Sequence, residues 1–288
     1  MPGAGEHRVC VRYNCPVGFA ARFRPALPVA GDGFPGRVSV AAWALDESDT
    51  VTVQAHRPVQ AASTIKVLVL ITALRHVRDG RLALDTELPL PAWEHRVGGT
   101  GVLRELASVS RLALADLLAL MIVVSDNTAT GVVIDAVGFD AINACARDLG
   151  CTTTRVQRHL MDIDAMIDGW DNVTSALDQA RVLDRLARGT ALPDELTHWA
   201  LDVLSRQQMR DRLPALLPVG AECWNKTGEQ IGLRHDVGLI GRAGKPQAVI
   251  AVLVDQLTDE RSLGGYRGGP GCDLIADLGA RAHSALSP

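Results

Sequence analysis

Ser63 and Lys66 stand three residues apart at the head of the apolar run Val67-Leu68-Val69-Leu70-Ile71. On a helix that spacing puts both side chains on one face, one turn from each other, so an ammonium reaches a hydroxyl. Serine is a poor nucleophile at its own pKa and needs a neighbour that takes its proton. A helix N-terminus adds partial positive charge where a carbonyl oxygen would turn negative. The pair therefore reads as a nucleophile and its activator. The same residues also suit an exposed N-cap serine beside a solvated lysine, and S-x-x-K alone favours that plainer arrangement.

Lysine usage tips the balance. Of the 29 lysines and arginines only Lys66, Lys226 and Lys245 are lysine. A guanidinium never deprotonates, whereas an ammonium can lose or share a proton, so lysine at 66 and 226 reads as chemically required. Lys226 lies in Asn225-Lys226-Thr227-Gly228-Glu229, where it interrupts the apolar face of an expected strand. By itself it would pass for an edge-strand lysine that deters aggregation. Val124-Ser125-Asp126-Asn127 closes a long apolar helix with a hydroxyl and an amide, and by itself would pass for a helix end followed by a new N-cap.

The elements that must position these groups follow from periodicity. Residues 37–45 and 50–55 read as two strands of a hairpin around the polar turn 46–49. From Ser63 the period becomes helical, predicting helices over 63–77, 110–123, 127–137, 140–149, 175–188 and 193–208, with Gly98-Gly99-Thr100-Gly101 breaking the chain after the first. Residues 152–174 have no sustained period and are expected as a long functional loop. Strands return at 222–227, 234–242 and 247–255, separated by glycine turns such as Arg242-Ala243-Gly244-Lys245, and an amphipathic helix spans 273–284. The expected fold is a mixed α/β protein of the α+β type. An antiparallel sheet domain is built from both termini (37–60 and 210–288), an all-α domain (61–209) is inserted, and 1–36 is an irregular segment holding at most a short helix over 17–27. Active sites favour such domain junctions.

The 288 residues with 47% hydrophobic content suit an ordinary globular protein, and the net charge of -4 offers no basic field for nucleic acid or an anionic membrane. The start has no apolar stretch typical of a secretory signal, and the longest apolar run, residues 112–124, contains Asp116 and is too short to span a bilayer; a soluble, cytoplasmic protein is expected. The six cysteines form no C-x-x-C pattern and are expected as buried or idle thiols, with a Cys10–Cys15 bridge as the alternative for that pair.

Ser63-x-x-Lys66, Ser125-Asp126-Asn127 and Lys226-Thr227-Gly228, in that order, resemble the penicillin-recognising serine enzymes, specifically the class A β-lactamase family. The resemblance runs from about Gly36 to the C-terminus and includes Gly99-Thr100-Gly101-Val102-Leu103 and a loop over 155–172 similar to the family's omega loop. It implies that Ser63 is acylated, that Lys66 accepts or relays its proton, and that Ser125 passes a proton to the leaving atom with Lys226 holding its pKa down. It further implies that Asn127 bonds a substrate amide, that Thr227, Gly228 and Glu229 line the substrate with Thr227 on its carboxylate, and that the N–H groups of Ser63 and Glu229 form the oxyanion hole. Arg234, or His235 nearly as well, would hold the carboxylate; no metal or cofactor is implied.

Two departures shape the expected activity. The family carries Arg-x-Glu-x-x-Leu-Asn in the loop, the glutamate activating water. Here Arg158-His159-Leu160-Met161-Asp162-Ile163-Asp164 puts Leu160 at the glutamate position. Loss of a general base raises the hydrolytic barrier by ~3–5 kcal/mol, unless His159, Asp162 or Asp164 substitutes. Apolar residues at this position also occur in class A-like penicillin-binding proteins. Glu229 is the second departure, because a carboxylate there repels a penicillin unless it turns outward or meets Arg234. The expected function is a serine hydrolase acting through an acyl-enzyme on a small-molecule amide or ester, weak on β-lactams. An acyltransferase or D,D-peptidase of the same chemistry is the alternative, and a non-catalytic β-lactam-binding protein a more distant one.

Overall fold

The computed structural model describes residues 18–27, 33–265 and 268–286. In chain order its elements are α1 (Phe19–Phe23), β1 (Arg37–Ala44), β2 (Val51–Val53), β3 (Val59–Gln60), α2 (Ile65–Arg78), β4 (Glu87–Pro89), β5 (Arg111–Ala113), α3 (Leu114–Val123), α4 (Asn127–Val137) and α5 (Phe139–Asp148). They continue as α6 (Ile163–Ile167), β6 (Val173–Thr174), α7 (Ala176–Ala187), α8 (Asp194–Ser205), β7 (Ala221–Gln230), β8 (Leu233–Arg242), β9 (Lys245–Asp255), α9 (Glu260–Leu263) and α10 (Pro270–Leu286).

The main sheet has the order β2-β1-β9-β8-β7 and is antiparallel throughout. Its two faces are both covered, which is why β1 and β9 are nearly continuous apolar runs instead of alternating with polar residues, and why β8 is buried along nearly its whole length even at Arg234, His235 and Asp236. Val40, Ala42, Ile240, Ile250 and Val252 pack with Phe19 and Phe23 of α1 and Ile275 and Leu278 of α10. Ala41, Trp43, Val237, Leu239, Val249 and Ala251 pack on the other face in one cluster with α2–α5, α7 and α8. α2 is buried from Ile65 to Leu74 and, Lys66 and Thr72 apart, is apolar all round, as a central core helix must be. The β8–β9 turn fits its residues: Ala243 and Gly244 take φ of +52° and +73°, the left-handed pair that a two-residue hairpin demands.

The antiparallel sheet with helices inserted between its N- and C-terminal strands is as expected, and several details differ. The expected helix over 110–123 begins only at Leu114, because Arg111–Ala113 pairs with β4. The loop over 152–174 contains α6 and ends in β6, which pairs with β3. The short helix allowed over 17–27 is present as α1, which closes the outer layer against α10. One continuous apolar cluster runs from the inner sheet face into α2–α5, α7 and α8, and a second lies on the outer sheet face against α1 and α10. Cys145, Cys151, Cys223 and Cys272 are buried free thiols; Cys10 and Cys15 lie outside the described residues. No single helix among the described residues is long and apolar enough to cross a membrane.

Candidate active site

Ser63 sits in a 3-10 turn, Ala62–Thr64, that leads into α2. The turn is strained and tied down. Ala62 has φ +45°, Thr64 Oγ1 donates to Ala61 O at 2.7 Å, and Ala61 N donates to Asn172 O at 2.7 Å. β7 runs against this turn at Gly228, where a Cβ would stand 3.0 Å from Thr64 Cγ2 and 3.3 Å from Ala61 O. Glycine is therefore what lets the strand edge approach Ser63.

Lys66, one turn into the helix, is fully buried, and its Nζ is 2.7 Å from Ser125 O, 3.0 Å from Ser125 Oγ and 2.9 Å from Asn127 Oδ1. No hydrogen bond joins Ser63 to Lys66 among the described residues. As an ammonium Nζ donates to all three acceptors; as an amine it accepts from the Ser125 hydroxyl and donates to the other two. Burial pushes its pKa well below the usual lysine value, the neighbouring Lys226 charge pushes it further, and Asp126 opposes them. Ser125 is itself in a left-handed conformation, φ +56°, and its carbonyl also accepts from Thr100 Oγ1 at 2.6 Å. Asp126 explains how that strain is held: it caps α4 at Ala129 N and accepts from Val102 N and Leu103 N at 2.6 and 2.8 Å. Gly101, with φ +101°, leaves the space that Asp126 fills; a Cβ there would lie 2.2 Å from its carboxylate.

On β7, Lys226 is fully buried and donates to Thr227 O at 2.9 Å. Burial pushes its pKa down to about 7, with Asp236 opposing and Arg212 reinforcing. Asp236 is pushed up to about 6 by burial, against the bonds it accepts from Asn225 Nδ2 and Leu213 N. Thr227 Oγ1 faces Met209 Sδ at 3.2 Å. Glu229 is paired with Arg212, not with Arg234. Arg234 is fully buried, donates to Gln230 O and Leu233 O, and does not line the cavity. His235 is likewise internal, bonded to Gln60 O and Val254 N, and burial pushes its pKa down to about 4.

Ser63, Ser125, Asn127, Thr227 and Glu229 line one cavity of about 330 Å³, together with Leu160, Met161, Asp211 and Arg212. The loop over 155–172 is anchored from inside. Asn172 Oδ1 accepts from Gln157 N and Arg158 N, its amide donates to Arg158 O, and Arg158 pairs with Asp171 at 2.8 Å. Leu160 faces the cavity. Of the residues weighed as substitutes for the glutamate, His159 turns to Asp135 at 3.2 Å in a neighbouring cavity of about 590 Å³, Asp162 caps α6, and Asp164 is exposed on it. None of the three lines the cavity of Ser63. Sequence reasoning missed Arg212, Asp211 and Met209, which sit in a stretch with no motif; the one available signal was an acid at 229 that needed a cation.

An antiparallel sheet with helices on both faces, holding a serine in a turn beside two buried lysines and a second serine, defines a serine hydrolase fold of the β-lactamase type. The model of the beta-lactamase enzyme family matches residues 22–286, and the chain belongs to that family. A β-lactamase of Proteus vulgaris is 24% identical over 225 residues, 77% of this chain and 74% of that protein. The crystal structure of a β-lactamase from Sphaerobacter thermophilus superimposes with a TM-score of 0.79 at 30% identity, covering 93% of this chain and 96% of that one. PBP-A superimposes with a TM-score of 0.78 at 25% identity over 93% and 95%; a leucine-to-glutamate mutant of it, at the same identity, is an acyl-enzyme complex with penicillin G.

Proposed function

We propose that this protein acylates Ser63 with a small-molecule amide or ester and releases the acyl group slowly. The observation that carries the reading is Leu160 on the wall of the cavity that holds Ser63, Ser125 and Asn127, with no carboxylate or imidazole of the loop reaching that cavity. Ser63 Oγ attacks the substrate carbonyl while neutral Lys66 Nζ, giving up one of its three bonds, takes the hydroxyl proton. The depressed pKa of Lys66 supports that role, since a general base must be unprotonated at working pH. The oxyanion meets the backbone N–H groups of Ser63 and Glu229, each worth ~3–4 kcal/mol in such a site. As the C–N or C–O bond breaks, the Ser125 hydroxyl gives its proton to the leaving atom and is reprotonated from Lys66 across their 3.0 Å contact. Lys226 adds positive charge, Asn127 orients the acyl side, and Thr227 binds the far end.

Transfer to an amine or alcohol is the second reading. It is favoured by the larger cavity behind the loop, which shares Asn127 and Leu160 with the first and leaves room for an acceptor. The deciding experiment is intact-mass spectrometry after seconds and after hours with a simple penicillin and a simple ester, with Ser63→Ala as control. A serine-dependent adduct that persists, and that an added amine clears faster than water, supports acylation followed by transfer. Rapid turnover without a lasting adduct would mean that another group activates water, and absence of any adduct or product would sink the acyl-serine reading.

A further inference from the structure

Among the described residues, the cavity wall beside Thr227 carries an acidic excess. Among the described residues, the charged side chains that line the cavity are Asp211, Arg212 and Glu229. The Arg212 side chain is 1% exposed, and its donors are committed. Nη1 reaches Gly228 O at 3.1 Å and His235 O at 3.0 Å, Nε reaches Cys272 Sγ at 3.3 Å, and Nη2 is bonded to Glu229 Oε2. The carboxylates are what the solvent sees: the Glu229 side chain is 34% exposed and that of Asp211 36%. Asp211 stands 3.8 Å from Arg212 Nε and accepts from Cys272 Sγ at 3.7 Å. Lys66 and Lys226 lie buried beneath the wall. Among the described residues, an arriving group thus meets one guanidinium already neutralised by Glu229 and one further carboxylate. A substrate carboxylate would have to displace Glu229 and leave three carboxylates around one guanidinium; an ammonium or a neutral N–H meets acceptors instead.

Resting on the acyl-serine reading above, we propose that Glu229 and Asp211 set the substrate class. They select esters and amides that carry an ammonium or a neutral hydrogen-bond donor, and not a carboxylate, on the part that meets Thr227. Glu229 is the built-in occupant of the place on Arg212 that a substrate carboxylate would take. Removing its charge frees Arg212 and weakens the selection.

Three esters that share a phenylacetyl group and differ only in the alcohol test this: glycolate, glycolamide and 2-aminoethanol. In each, Ser63 Oγ forms the new ester bond and the alcohol leaves with a proton. The rate of Ser63 adduct formation is read by intact mass and divided by the hydroxide-catalysed rate of the same ester. Wild-type protein is expected to favour the aminoethyl over the glycolate ester by ~10-fold or more, with glycolamide between, and the ratio should shrink as salt rises from about 0.05 to about 0.5 M. Glu229→Gln should lower the ratio ~10-fold, and Asp211→Asn should lower it in the same direction. Adducts forming at equal normalised rates, or fastest with glycolate in the wild type, would overturn the selection while leaving the acyl-serine reading intact. No adduct from any ester in any of the three proteins would overturn that reading, and the selection with it.

Discussion

At the scale of single residues, the proposed reading gives the site the parts for making an acyl-serine and leaves the loop without one for breaking it. Leu160 contributes only apolar surface to the cavity, so on the proposed reading the loop offers no base to water beside the ester. Leu160→Glu should shorten the life of the Ser63 adduct by ~10²-fold or more while changing its formation far less, measured by the decay of adduct mass after excess reagent is removed. An unchanged lifetime would mean that the loop does not present residue 160 to the ester. Lys226 gives a second prediction. Its pKa falls from 10.5 unfolded to about 7 folded, because burial disfavours the ammonium. The unfolded chain therefore binds more protons between those values, and stability from this group is full above the unfolded pKa and lost as pH falls through about 7. Lys226→Met removes that dependence. It should melt several degrees above wild type near pH 6, with the gap narrowing toward pH 9, while Ser63 acylation falls at every pH. A gap that widens with pH would show that Asp236, whose charge opposes the shift, governs the pair instead.

At the scale of elements, the strong periodic segments were legible and the short ones were not. α4 at Asn127–Val137 and the long strands β8 and β9 announce themselves by composition and glycine turns. β4, β5 and β6 are two or three residues long, and pairing that short is fixed by the partner strand and not by any local pattern; this is why Arg111–Ala113 read as the first turn of a helix. The three motifs located Ser63, Lys66, Ser125 and Lys226, and β7 and the 3-10 turn bring them to one cavity or directly beneath it. Arg212 could not be found in this way, since no spacing rule ties a residue before β7 to an acid near its end. The loop over 155–172 is an element whose position depends on one side chain. Asn172 is buried and makes three bonds to the backbone of residues 157 and 158. Asn172→Ala leaves two backbone donors without their acceptor and should cost ~2–4 kcal/mol. The loss should appear as faster hydrogen exchange across the loop and slower acylation, and protection equal to wild type would show that the Arg158–Asp171 pair is sufficient.

At the scale of the whole molecule, the site lies where the turn before α2 meets the edge of the sheet, so it survives only if the two halves move together. The structure supplies the connection in three places. The inner sheet face and the helices share one apolar cluster, Trp43 Nε1 of β1 donates to Asp184 of α7 at 2.9 Å, and β3 pairs with β6 across the base of the loop. Two regions that share a core cannot lose it separately, because opening either one exposes apolar surface of the other. Unfolding in urea should therefore be a single transition. Tryptophan fluorescence of a variant with Trp93, Trp170 and Trp199 replaced by phenylalanine, which then samples Trp43 and Trp224 on the sheet, should share its midpoint and m-value with far-UV circular dichroism, which samples mainly the helices. An acyl group on Ser63 that also contacts β7 should shift both midpoints upward by the same amount, since those contacts exist only in the joined state. Midpoints that separate, or a shift seen by one probe alone, would show that the helical region and the sheet are independent units and that the cavity can open without unfolding either.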